Sequence, residues 1–78
     1  MLRDAKTAKI IGEILREARE RAGLTQQKLA ALAGMDRSYL SDVERGTVSV
    51  SLERFLQIAK AMGIGAEVMV GKMEKEIG

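Results

Sequence analysis

Two capping residues and two glycines, closely spaced, constrain this chain more than anything else in it. They lie in LTQQKLAALAGMDRSYLSDVERG, from Leu24 to Gly46. Thr25 has a hydroxyl that can accept a free backbone N–H at the start of a helix. Leu29, Ala30, Leu32 and Ala33 follow at helical spacing as a buried side, and Gly34 stands where a helix ends. Asp36 then caps a second short helix, which turns Leu40 and Val43 inward and stops at Gly46. With so few residues between them, the two helices must cross steeply and approach closely. A small residue is needed at the crossing, and Ala30 fits; the tight turn needs a positive φ, which Gly34 adopts without a steric penalty.

The flanking sequence supplies elements to hold this pair. Met1 to Thr7 shows no pattern and reads as a frayed lead-in. From Ala8 to Ala22, Ile10, Ile11, Ile14, Leu15, Ala18 and Ala22 fall at helical spacing, with Gly23 as the stop. Thr47 to Val50 is a short loop. Ser51 caps a further helix, with Glu53 near its positive end and Leu52, Phe55, Leu56, Ala59 and Met62 as its apolar face. Gly63 closes it. In the tail, alternation through Ala66, Val68 and Val70 reads as a short strand. A fifth helix from Glu67 to Ile77, interrupted by Gly71, is the competing reading. The expected fold is therefore all-α: one compact domain over 1–78 with four to five helices, a two-helix core at 25–46, and a tail at 64–78. The strand is preferred in that tail, as a dimerisation element.

Composition excludes several function classes. There is no Cys and no His, so no disulfide, thiol nucleophile, imidazole base or zinc site is available, and neither cofactor nor metal is expected. With one Phe, one Tyr and no Trp, the core must be aliphatic. Glu67, Glu74 and Glu76 have no partner signal for hydrolysis, so no enzyme is expected. Without a long apolar run or a signal-peptide core, a cytoplasmic location is expected. The formal net charge is only +2, a weak footprint for a nucleic-acid binder, so the argument rests on arrangement.

That arrangement is the layout of a helix-turn-helix, in which one helix braces on the DNA backbone and the next enters the major groove. Arg37, Ser38, Ser41 and Asp42 remain on the outer side of the second helix, with Tyr39 and Arg45 at its flanks. Arg37 is the best base reader, because guanidinium can pair bidentately with guanine. Tyr39 stacks, bonds a phosphate through its hydroxyl, the preferred role, or covers the edge of the core. Asp42 either accepts from a cytosine amino group or turns aside to Arg45 or Arg37. Lys28 is as readily an ordinary exposed lysine as a backbone contact, and REARER reads as a solvated face with a Glu17–Arg21 pair.

On LREARERAGLTQQKLAALAG, MDRSYLSDVERG and SLERFLQIAKAMGI, the chain resembles the phage-repressor-like, Cro-type helix-turn-helix regulators from Ile11 to Ile64. The resemblance implies a mostly helical domain that binds operator DNA as a symmetric homodimer and acts as a repressor or autoregulator. It places Gln26, Arg45 and the Gly46–Ser49 loop, including Thr47, on phosphates, and Arg37, Ser38, Ser41 and Asp42 on bases. It also implies an internal ion pair between Arg19 and Glu44. The dimer surface would come from the end of the fourth helix and the tail, where Ile64, Val68, Met69 and Val70 exceed what a chain of this length needs to bury. DRSYLSDVERG is similar to the controller proteins of restriction–modification systems; an apolar tail strand is similar to antitoxin regulators, which would add a toxin protein as partner. A protein-interaction module without DNA binding is the third reading.

Overall fold

The computed structural model describes residues 5–77. Five helices run in order: α1 (Ala5–Arg21), α2 (Gln26–Ala33), α3 (Arg37–Arg45), α4 (Leu52–Ala61) and α5 (Ala66–Ile77). α1 packs on α3 and α5, α2 packs on α3 and α4, and α4 meets α5. All five contribute to one apolar core, whose largest fully buried members are Leu15, Leu29, Leu40, Ile58, Met69 and Val43. No helix among the described residues is long and apolar enough to cross a membrane.

Capping sets most helix boundaries. Thr25 Oγ1 accepts from Lys28 N at 3.0 Å, and Ser51 Oγ accepts from Arg54 N at 3.1 Å. Gly34 takes φ +71, and Met35 N closes the turn on Ala30 O at 2.9 Å. Asp36 stands at the N-cap of α3 with extended backbone, but its side chain makes no capping hydrogen bond. The expected cap is thus a cap by position alone.

Two close approaches, neither marked by the turn pattern, fix α1 on α3. A Cβ on Gly12 would lie 2.3 Å from Val43 O and 2.6 Å from Glu44 O, so only glycine lets the helices cross at this distance. A Cβ on Gly46 would lie 2.6 Å from Lys9 Cα, and Gly46 also needs its φ of +75 to end α3. The buried Ala30, at 2% exposure, suits a helix crossing, but Gly12 is the tighter contact.

The tail corrects the preferred reading. Residues 66–77 form a helix, and the described residues contain no strand. Val68 and Val70, which suggested alternation, are both exposed, whereas Met69 and Met73, four positions apart, are buried. That pair forms the inward stripe of a helix. Met69 is fully buried and so cannot belong to a dimer surface; Val68 and Val70 remain exposed there. Leu32, Leu52 and Leu56, expected to be inward, are exposed as well. The expected lead-in is already helical from Ala5, and Met1–Asp4 lie outside the described residues.

Candidate nucleic-acid interface

Nine residues form α3, and their rotation about the axis sorts them by role. Leu40, Val43 and Glu44 are buried against the rest of the molecule. At about 100° per residue, Arg37, Ser38, Ser41, Asp42 and Arg45 fall within an arc of about 140° on the other side. Arg37, Ser38 and Arg45 are exposed, and Ser41 and Asp42 are half-buried. The structure therefore brings the sequence-derived base-reading residues together on one solvent-facing surface. Among the described residues, the Arg37 guanidinium has no ion-pair or hydrogen-bond partner. In the free protein the Asp42 carboxylate accepts from Arg45 Nη2, one of the two arginine partners expected for a turned-aside aspartate. The Arg45 side chain is 65% and the Asp42 side chain 38% exposed, so solvent screens the pair and it contributes little to stability.

Tyr39 lies on the far flank of α3. Its ring sits under the Arg54 guanidinium, 5.7 Å from carbon to centroid, in a cleft shared with Gly34, Met35 and Asp36. Arg54 also donates to Gln57 Oε1 at 3.3 Å. Arg54 escaped the sequence reading because nothing in the spacing of α4 ties its first turn to α3. Thr47 Oγ1 donates to Asp42 O at 3.1 Å, closing the end of α3 beside Gly46.

Behind this solvent-facing surface, one carboxylate organises the scaffold. Glu44 is buried, with its side chain only 2% exposed, and Arg19 meets it in a fork: Nε to Oε2 at 2.7 Å and Nη2 to Oε1 at 3.1 Å. Arg19 Nη1 donates to Leu24 O at 2.8 Å, so the same guanidinium also pins the turn between α1 and α2. Donation to the Glu44 carboxylate raises the Arg19 pKa above its ordinary value, against a smaller opposing effect of burial. A raised folded-state pKa means that Arg19's contribution is fully present below the ordinary arginine range and lost only at still higher pH. It therefore introduces no dependence near neutrality. Gln26 Nε2 also donates to Glu44 Oε1, at 3.0 Å, so Gln26, expected at a phosphate, is bonded inward in the free protein. The expected Arg19–Glu44 pair is present; no ion pair between Glu17 and Arg21 occurs among the described residues.

The helix-turn-helix family profile matches residues 15–68, from within α1 into α5. Control protein C.BamHI of Bacillus amyloliquefaciens is 39% identical over 56 residues, covering 70% of this chain and 69% of that protein. The immunity repressor protein of Bacillus phage phi105 is 37% identical over 62 residues, 80% of this chain but 43% of that protein, so the chain spans less than half of this relative. The crystal structure of the restriction-modification controller protein C.AhdI from Aeromonas hydrophila matches with a TM-score of 0.77 at 44% identity, over 80% of this chain and 94% of that one. The profile spans both helices of the reading unit and the helices that brace it, and these relatives agree with it along most of the chain. The chain belongs to the helix-turn-helix family of DNA-binding transcriptional regulators.

Proposed function

We propose that this protein is a cytoplasmic repressor or autoregulator, without enzymatic activity, that binds a twofold-symmetric operator as a homodimer. The observation that carries this reading is the division of α3: Leu40, Val43 and Glu44 hold it in place, while Arg37, Ser38, Ser41 and Asp42 are left to solvent on one arc. At about 1.5 Å per residue, such a helix is roughly as long as the major groove is wide. Arg37 begins α3 with its guanidinium uncommitted, and it reads a guanine edge. Ser38 and Ser41 add adaptable hydrogen bonds. Asp42 and Arg45 form an exposed pair that can exchange partners at the DNA surface, Arg45 turning to a phosphate.

Tyr39, held under Arg54, and Thr47 meet the backbone at opposite ends of α3. Gln26 does so from the start of α2, exchanging Glu44 for a phosphate oxygen. One such domain reads only a few base pairs, so specificity requires two. Twofold symmetry then places the half-sites about 34 Å apart, one helical turn. Exposed Val68 and Val70 on α5 leave apolar area for that pairing. The antitoxin reading, with a toxin partner, leaned on a tail strand, and the helix at 66–77 removes its support.

Selection of bound sites from a random duplex pool tests this reading directly. Paired half-sites at one-turn spacing are expected; recovery of no enriched sequence would refute operator recognition. In the same assay, Arg37→Ala should lose its preference for the selected site over unrelated DNA, with stability within about 0.5 kcal/mol of the parent, as for an exposed residue. Unchanged discrimination would remove Arg37 from the base-reading set.

A further inference from the structure

A second cleft opens at the C-terminal end of α3, where α1 passes beside it. Lys9 and Arg16 of α1 line it together with Gln26, Arg45 and Thr47. Seven residues separate the two α1 cations, nearly two full turns, so they project from the same side of the helix about 10 Å apart along its axis. The close contact of Gly46 with the Lys9 backbone holds the start of α1 against the end of α3, and Gly12 does the same near the middle of α1. The placement of Lys9 is thus part of the packing that presents the reading helix.

The charges in this cleft are unequally committed. Glu44 is taken by Arg19 and Gln26, and Arg45 is taken by Asp42. Lys9 and Arg16 are exposed and have neither an ion pair nor a hydrogen bond among the described residues. Glu13, between them on the same helix and also lining the cleft, is the one acidic group there without a partner. The uncommitted balance is therefore positive, on a surface continuous with Thr47 and Arg45.

We propose that Lys9 and Arg16 form a backbone-phosphate seat, so that α1 grips the DNA strand bordering the groove that α3 enters. This rests on the DNA-binding reading above and extends it to a helix that served there only as scaffold. Glu13, facing the same strand, weakens the grip and limits non-specific binding. Contacts of this kind position without specifying, and each neutralised phosphate adds to the salt dependence of binding.

The test measures the dependence of log K on log salt for a duplex recovered from the random pool and for an unrelated duplex, using the full chain. Lys9→Gln and Arg16→Gln should each reduce the slope by about one and weaken both duplexes by the same factor. Glu13→Gln should tighten both duplexes. All three variants should melt with the parent, since each residue is exposed. If the parent shows its selected-site preference while the Lys9 and Arg16 variants keep its slope, α1 does not touch the backbone and the α3 reading stands. A change in sequence preference from either variant would equally overturn a phosphate role. A parent that binds neither duplex refutes both this proposal and the reading beneath it.

Discussion

Replacing Glu44 by alanine should cost about 3–5 kcal/mol of folding stability, the effect of leaving one member of a buried ion pair without its partner. The loss is large because the carboxylate satisfies two residues. Without it, the Arg19 guanidinium, with a side chain 11% exposed, keeps only the Leu24 carbonyl, and the Gln26 amide loses its acceptor. A domain of this length has a total stability of roughly 4–12 kcal/mol, so the loss removes at least about a quarter of it. The check is a urea titration, read as a lowered midpoint at unchanged slope. A loss below about 1 kcal/mol would show that water replaces the carboxylate at little cost. The double variant Arg19→Met/Glu44→Leu should recover much of the loss, since it removes the unpaired charge along with the pair.

Alanine at Gly12 is the second large effect. It improves intrinsic helix propensity by about 1 kcal/mol, so on an isolated α1 it would stabilise. In the folded protein the added methyl meets the Val43 and Glu44 carbonyl oxygens far inside contact distance. These are backbone atoms of α3 and cannot rotate away; the two helices must separate. Overpacking of this kind costs about 1–3 kcal/mol, with rigid contacts at or above the upper end, for a net loss of about 2 kcal/mol. Thermal melting measures it, and a gain in stability would show that α1 and α3 do not cross as described. The same variant should weaken operator binding, because α3 is carried on that contact.

Legibility in the sequence followed the range of the interactions involved. Thr25, Ser51, Gly34 and Gly46 act on backbone a few residues away, and their local signals correctly mark where helices start and stop. The outward set on α3 was legible for the same reason, because one helix's periodicity separates Leu40 and Val43 from Arg37, Ser38 and Ser41. Gly12 was not legible. Its role depends on residues some thirty positions away, and a glycine inside a helical pattern shows no sign of what crosses it. The clefts of Tyr39 with Arg54 and of Lys9 with Arg16 likewise exist only once α4 and α1 are docked. The tail misled through its brevity. Three small apolar residues at alternate positions outweighed the Met69–Met73 pair, although tertiary burial followed the methionines.

The division of α3 has a consequence for how such a protein changes over generations. No fully buried side chain lies on the solvent arc that holds Arg37, Ser38 and Ser41, and none of these three takes part in the Glu44 network. Mutations at these positions can therefore accumulate without a stability threshold to screen them. Where these positions read DNA as proposed, a lineage carrying this scaffold can drift from one operator to another by single exchanges, each filtered by the DNA it must find and not by the fold.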